Sequence, residues 1–481
     1  MLSTLPTTSH YIQFHATARP KAWAIHTSTE DVSYEKFCTD LRYMTKYVGQ
    51  LTQSLNKHTV VEVCIDDTYL NWLVILALEN LAICSSSVGP SDISTSTTDV
   101  WPVSLILYTG NLTSHTPIPL HRIDKALLQD VQDNTGTPFG SIHNHDDDTL
   151  RITKTSGTTG YPKRMALTRN RHDGAMARWQ WLCHYNPRSV CWIHAPFSVG
   201  GMYSTTTACL RAGGAVVLNQ VLSFRDAWFR YGVTHATMLP IELTQVLQSM
   251  GELAVSRPKL MLTTFGGAVS LDQFDRALAT FAHDVIDVYG TNEVGLIGIK
   301  RRHHFEDGLV ILPGVEVEIC DEQGIGVPAG LEGHLRARTL QMVPHYVDSE
   351  NQSVGNFKDG WFWPGDSGQM TNNGLLKLLG RQDDLLNMGG IKINPDAIEA
   401  EFKKLPYLLD VAMVMNPSNE RHGVITVAIV PKAPHATKHL NALILSKSKG
   451  FSEFMVVQEV SAIPRTATGK VERNKLKNLL K

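Results

Sequence analysis

Between residues 191 and 289 the chain repeats one pattern: a short apolar run, then a helix-like stretch of roughly ten residues. Ala215-Val216-Val217-Leu218 precedes a helical pattern around Arg225, and His235-Ala236-Thr237-Met238 precedes residues 241–250. Leu260-Met261-Leu262 precedes residues 271–281, and Val285-Ile286-Asp287-Val288 closes the series. Strands separated by helices pair in parallel, because the crossover returns the chain to the same end of the sheet. Val60-Val61-Glu62-Val63-Cys64-Ile65, followed by a helical stretch from Tyr69, adds a similar unit nearer the start. Residues 85–99, rich in Ser and Thr, read as a loop. Residues 309–379 change character to short strands punctuated by Gly and Pro, which predicts a small barrel or antiparallel sheet. The expected fold class is therefore α/β, a large N-terminal body of parallel sheets with a small β-barrel-like subdomain. The main boundary falls near residues 380–384.

Charge supports that boundary. Residues 401–481 hold 13 Lys/Arg against 6 Asp/Glu, whereas the preceding stretch holds 31 against 40. A basic module on an acidic body suggests a separate domain that meets anionic ligands, with a solvated lysine-rich surface as the plainer alternative. The whole chain of 481 residues sums to a formal charge of −2, which excludes a bulk polyanion binder and gives no reason to expect nucleic acid. The first residues show no charged segment followed by an apolar stretch, so no secretory signal is expected. The most apolar window, residues 71–84, is interrupted by Glu79 and is too short to span a bilayer. Seven cysteines without a CxxC pair read as reduced, buried thiols, and a cytoplasmic protein follows.

One loop stands out chemically: Thr155-Ser156-Gly157-Thr158-Thr159-Gly160-Tyr161-Pro162-Lys163. Glycines and small hydroxyl residues let backbone N–H groups converge on phosphate oxygens, and a lysine adds a point charge. It is not a Walker A loop, since only two residues separate Gly157 from Gly160 and Tyr161-Pro162 intervene before Lys163. Alone it could be a flexible Gly/Thr hairpin. It is followed by Val288-Tyr289-Gly290-Thr291-Asn292-Glu293-Val294-Gly295, then Gly360-Trp361-Phe362-Trp363-Pro364-Gly365-Asp366, then Gly380-Arg381-Gln382-Asp383-Asp384. Pro464-Arg465-Thr466-Ala467-Thr468-Gly469-Lys470-Val471-Glu472-Arg473 ends the series.

From about residue 153 to 476 these motifs, in this order, resemble the adenylate-forming superfamily: acyl-CoA synthetases, peptide-synthetase adenylation domains and luciferase-like enzymes. The resemblance implies a two-step, AMP-forming acid–thiol ligase. A carboxylate attacks the α-phosphate of ATP and releases pyrophosphate, and a thiol then attacks the acyl-adenylate and expels AMP. It implies two domains: residues 1–380 binding ATP and the acid, and a small mobile α+β domain, 381–481, carrying a catalytic lysine.

By resemblance, residues 155–163 (Thr155, Ser156, Gly157, Thr158, Thr159, Gly160 and Lys163 among them) hold the β- and γ-phosphates. Gly266-Gly267-Ala268 approaches the adenine edge and Tyr289 lies against the ring, with Gly290 and Thr291 beside it. Asp366 takes the ribose hydroxyls, assisted by Arg381. Glu293 is the Mg²⁺ ligand, a hard cation favouring carboxylate and phosphate oxygens. Asn292, where the family usually has threonine, donates to the α-phosphate. Lys470 bridges that phosphate and the incoming carboxylate, Asp383 is the hinge, and Gly389-Gly390 opens a pantetheine tunnel. Pro364, His334 and Val457 are further departures from the family's usual residues.

The acid is expected to meet Phe197, Ser198, Val199, Gly200, Gly201, Phe265, Val294 and Leu296. Ser198 stands where peptide-synthetase domains place an aspartate for an α-ammonium, which disfavours an α-amino acid. An apolar slot suits an aryl or medium-chain acid. The expected cofactors are ATP, Mg²⁺ and CoA, with a carrier protein's phosphopantetheine as the alternative thiol. A degenerate nucleotide-binding protein without turnover is the reading from another class.

Overall fold

The computed structural model describes residues 6–27, 30–55, 59–90, 93–94, 101–112, 116–128, 139, 148–155, 163–193, 197, 200–218, 223–250, 258–267, 269–347, 356–381, 386–388, 391–393, 395–416, 424–433, 436–447, 455–466, 469 and 471–480. The repeated strand–helix pattern folds into a nine-stranded sheet. Its parallel centre runs Trp23–His26, Ala215–Leu218, Val190–Ile193, His235–Met238, Leu260–Phe265 and Ala282–Thr291. The crossover helices Phe224–Tyr231, Pro240–Met250 and Leu271–Thr280 lie where the sequence places them. Ser270 and Gln273 start the last of these with reciprocal side-chain-to-backbone hydrogen bonds, which satisfy donors that a helix start leaves open. Antiparallel strands finish the edges: Asp31–Ser33 at one, Gly295–Lys300 and Val310–Ile311 at the other.

A second sheet of six strands runs in the order Leu120–Arg122, Val103–Tyr108, Val60–Cys64, Cys84–Ser87, Thr149–Thr155 and Lys163–Thr168. All its pairings are parallel except the last. Cys84–Ser87 corrects the expectation of a loop from residue 85. Ser85 and Ser86 are 2% exposed and form a central strand beside Val60–Cys64. Sheet position overrides local propensity here, because a strand between two neighbours needs backbone pairing more than a β-branched side chain. Helix Thr68–Asn80 is buried on every side from Tyr69 to Glu79, which is why its sequence shows no polar face.

Helix Gly200–Arg211 is tied to its neighbours by buried charge. The Arg211 guanidinium donates to Asp173 at 2.6 Å and to the Thr8 hydroxyl at 2.9 and 3.0 Å, and the Arg151 guanidinium sits 4.0 Å from the Tyr203 ring centroid. Residues 315–381 form an antiparallel sheet of Val315–Cys320, Glu332–Thr339, Phe357–Lys358, Trp361–Phe362, Asp366–Met370 and Leu376–Arg381, as the Gly/Pro punctuation predicts.

Beyond it, Leu408–Asn416, Val424–Pro431 and Met455–Glu459 make a three-stranded mixed sheet with helices Pro395–Phe402, Thr437–Lys447 and Arg473–Leu479. One face buries Phe402, Val411 and Leu440, and the other buries Ala412, Ile463 and Leu476. Two separate clusters on one small sheet are what an α+β unit needs to hold helices on both faces. All seven cysteines are buried and none forms a disulfide, as their spacing predicts. No described helix is long and apolar enough to cross a membrane.

Candidate active site

Gly266, Gly267, Tyr289 and Glu293 lie at or just beyond the carboxyl ends of the parallel strands Leu260–Phe265 and Ala282–Thr291, where open α/β sheets bind ligands. Tyr289 sits near the end of the longer strand and donates its hydroxyl to Asp366 Oδ2 at 2.5 Å, across a sequence separation of 77. Burial, then the Asp366 charge, pushes the phenol well above its ordinary range, so it stays a donor. Asp366 pairs in register with Arg381 on the next strand, and Arg381 Nε lies 3.4 Å from Asp366 Oδ1. The same guanidinium donates to the Pro364 carbonyl at 2.8 Å, so the carbonyl of the residue that departs from the family pattern anchors the arginine.

The turn after Tyr289 is shaped by glycine. A Cβ on Gly290 would lie 2.5 Å from the Gly295 carbonyl, and Gly295 itself has φ +87°, where only glycine is unstrained. Thr291 accepts from the Val294 N–H at 3.1 Å and closes the turn, leaving Asn292 exposed at its tip. Glu293 points back inward and is 9% exposed. Its Oε1 accepts from the Tyr346 hydroxyl at 2.7 Å, and its backbone carbonyl accepts from Val343 N–H at 2.8 Å.

Thr155 and Lys163 face each other in the antiparallel pair that brackets the Gly/Thr loop. Lys163 Nζ lies 4.7 Å from the Tyr346 ring centroid and 3.3 Å from Asn356 Oδ1. Tyr346 and Asn356 were not singled out from the sequence. Neither lies in one of the five motifs, and only the tertiary contacts of Tyr346 with Glu293 and of Asn356 with Lys163 reveal them.

Of the expected acid-binding residues, Phe197 packs edge-on against Trp72 and Tyr203, with centroids 5.1 and 5.3 Å apart, and is 3% exposed. Val294 fills the core of the antiparallel subdomain. Phe265 and Leu296 are half-buried. Gly201, in the first turn of helix Gly200–Arg211, lies against Phe265, where a Cβ would come within 3.2 Å of the ring. Gly266 has φ +86° and Gly267 is exposed at the end of strand Leu260–Phe265. Residues 156–160, Ser198, Val199, Ala268, Asp383, Gly389, Gly390 and Lys470 lie outside the described residues.

The neighbours of Lys470 are described. Arg465 pairs with Val471 across an isolated bridge, and Gly469 has φ +81° and donates its N–H to the Thr466 carbonyl at 2.8 Å. The Arg465 guanidinium donates to the Gly469 carbonyl at 2.7 Å and grips Asp410 at 2.7 and 3.0 Å. A planar guanidinium shared between a carboxylate and a turn carbonyl fixes that turn to the strand Leu408–Asn416. Arg473 closes the motif by donating to Glu399 at 2.7 Å and to the Met413 carbonyl at 2.6 Å.

Among the described residues no three His, Cys, Asp or Glu side chains cluster to form a metal cage. Glu293 commits one oxygen to Tyr346 and keeps a second, which fits a cation carried largely by nucleotide phosphates and water.

This arrangement is the fold of the adenylate-forming enzymes. ATP-bound MatB of Rhodopseudomonas palustris superposes with a TM-score of 0.81 at 19% identity, covering 99% of this chain and all of the other. The o-succinylbenzoate CoA synthetase MenE of Bacillus subtilis, solved with its acyl-adenylate, gives 0.80 at 19% identity with 97% of each chain covered. The chain belongs to the AMP-binding enzyme family, whose model matches residues 102–347.

Curated relatives include the mitochondrial acyl-coenzyme A synthetase ACSM4 of Rattus norvegicus, 26% identical over an alignment of 404 residues that covers 76% of this chain and 67% of the relative. The indoleacetate–CoA ligase of Aromatoleum aromaticum is 26% identical over an alignment of 386 residues that covers 75% of this chain and 71% of the relative. The fatty acid–[acyl-carrier-protein] ligase ScoC of Streptomyces coeruleorubidus is 25% identical over an alignment of 345 residues that covers 67% of this chain and 66% of the relative. These alignments span about two thirds of each relative's own length.

Proposed function

We propose that this protein activates a carboxylic acid with ATP and passes the acyl group to the thiol of CoA. In the first step the carboxylate oxygen attacks the α-phosphorus and the bond to pyrophosphate breaks, leaving an acyl-adenylate. In the second the thiol sulfur attacks the acyl carbon, loses its proton and expels AMP. Residues 1–380 bind ATP and the acid, and residues 381–481 turn about Asp383 to deliver Lys470 for the first step and open the thiol path at Gly389-Gly390 for the second. Tyr289 and Gly266-Gly267-Ala268 receive adenine, Asp366 and Arg381 the ribose, and the loop up to Lys163 the phosphates. Asn292 and Lys470 meet the α-phosphate. Glu293 would hold a Mg²⁺ that arrives on the nucleotide, and such an ion would supply charge neutralisation for the leaving pyrophosphate.

The observation that carries this reading is the approach of Tyr289 and Asp366, a stacking ring and a bidentate acceptor brought within hydrogen-bond reach at the strand ends. The half-buried Phe265 and Leu296, beside the small Gly201, favour an aryl or medium-chain acyl acid. A panel of acids assayed for pyrophosphate release, with and without CoA, tests it. Acid-dependent release and CoA-dependent thioester are expected, and release independent of every acid overturns the proposal.

Similarity to the carrier-protein ligase favours a second reading, in which the acceptor is a carrier's phosphopantetheine. A mass increase on a carrier protein, with no thioester on free CoA, would select it.

A further inference from the structure

The chain places an ammonium and a carboxylate on one phenol without letting them meet. Tyr346 is 5% exposed and donates its hydroxyl to Glu293 Oε1 at 2.7 Å, while its ring face receives Lys163 Nζ at 4.7 Å from the centroid. Among the described residues no ion pair joins Lys163 to Glu293. Opposite charges held on one side chain attract each other, so keeping them apart takes a group that satisfies each of them. A phenol intervenes with neutral groups on both sides: a hydroxyl for the carboxylate, a negative ring face for the ammonium. Neither charge is neutralised by it.

The phenol is also held rigidly. On one flank Val343 N–H donates to the Glu293 carbonyl at 2.8 Å, and on the other Val347 N–H donates to the Arg164 carbonyl at 2.8 Å. Segment 342–347 is thereby bolted at one end to the Glu293 turn and at the other to the strand that begins with Lys163. Phe357 meets the Tyr346 ring edge-on, with centroids 5.2 Å apart, and fixes its orientation. Asn356 Oδ1 gives Lys163 a second neutral contact at 3.3 Å.

We propose that Tyr346 is a positioning residue for adenylation: it keeps the Glu293 carboxylate and the Lys163 ammonium apart, so that one faces the nucleotide-borne cation and the other the phosphates. The inference rests on the nucleotide-binding reading above and adds a residue to it. The two halves of the phenol make separable contributions. Tyr346→Phe keeps the ring face for Lys163 and removes only the hydroxyl that orients Glu293. Tyr346→Leu removes both.

Calorimetric titration of the full chain with ATP, once in EDTA and once with excess Mg²⁺, reads the two contributions without relying on turnover. In the parent, Mg²⁺ should tighten ATP binding. Tyr346→Phe should leave the dissociation constant in EDTA within about twofold and cut the gain from Mg²⁺ about tenfold, the scale of one hydrogen bond to a charged group. Tyr346→Leu should weaken binding in both conditions. Adding Tyr346→Phe to Glu293→Gln should produce no further loss of the Mg²⁺ gain, because the hydroxyl acts through that carboxylate. Circular dichroism on each variant confirms folding. A Tyr346→Phe protein with the parental gain from Mg²⁺, or a full additive loss in the double variant, overturns the positioning role alone. A folded parent that binds ATP in neither condition overturns the nucleotide-binding reading with it.

Discussion

Tyr289 Oη donates to Asp366 Oδ2 at 2.5 Å and so ties the last parallel strand of the large sheet to the antiparallel subdomain. A nucleotide's ribose hydroxyls must compete with that phenol for the same carboxylate. Tyr289→Phe should keep the adenine platform, leave the KM for ATP within about fivefold, and cost about 1–3 kcal/mol of stability from the lost charged hydrogen bond. Asp366→Ala should raise the KM for ATP at least about a hundredfold, since no neutral side chain accepts from two hydroxyls as a carboxylate does. Pyrophosphate exchange and thermal melting measure both. Equal effects of the two substitutions on KM would remove Asp366 from the ribose site.

Gly290 leaves no room for a side chain, with the Gly295 carbonyl 2.5 Å from the position of its missing Cβ. Gly290→Ala should therefore shift the turn that carries Glu293, destabilise the fold by about 1–3 kcal/mol through overpacking, and raise the Mg²⁺ concentration needed for half-maximal exchange. A variant with parental melting temperature and Mg²⁺ response would show that the turn is not set by this contact.

Around Lys470 the prediction concerns one half-reaction. Lys470→Ala should abolish acid-dependent exchange of pyrophosphate into ATP yet spare thiolation of a supplied acyl-adenylate. Asp410→Asn weakens the grip on Arg465, which in turn holds the Gly469 carbonyl, and should slow the first step about tenfold with little effect on the second. Asp383→Pro should do the reverse, because proline restricts the φ change a hinge requires. Equal losses in both half-reactions would rule out a turn and a hinge that serve separate steps.

Asp287 is buried beside Thr264, which donates to its Oδ1 at 2.9 Å, and burial raises its carboxyl from 3.8 to about 6. A carboxyl whose folded value is raised binds more protons folded than unfolded between about pH 4 and 6, so stability falls as pH rises through that window. Asp287→Asn removes the cost of an ionised buried carboxylate, and the Thr264 hydroxyl can turn to accept from the amide. Thermal melts should show the variant more stable than the parent at pH 7.5, by up to about 3 kcal/mol, with the gap closing by pH 4. A gap that does not depend on pH would assign the effect to packing.

The parallel body was legible because its strands are buried on both faces and written in apolar, β-branched runs, as at Val285-Ile286-Asp287-Val288. Cys84–Ser87 was not, since small polar residues inside a sheet carry no propensity signal and only the partners Val60–Cys64 and Arg151 reveal them. In the site, Tyr289, Glu293, Asp366 and Arg381 were readable through their resemblance to the family's ordered motifs, since a strand-end tyrosine or a turn glutamate taken alone reads as ordinary structure. Tyr346 was not, because its importance is a matter of what lies on either side of its ring. Phe197, an expected wall of the acid slot, illustrates the opposite limit: an aromatic beside a glycine-rich run packs into the core on Trp72 as readily as it lines a pocket.

All seven thiols are enclosed by the fold, and burial pushes those of Cys84 and Cys183 up to about 12. A reagent such as a chromogenic aromatic disulfide should ignore the native protein and consume seven equivalents from each molecule that opens fully. The chain thus contains its own label-free odometer for unfolding, with which each variant above can be ranked by how often it comes apart.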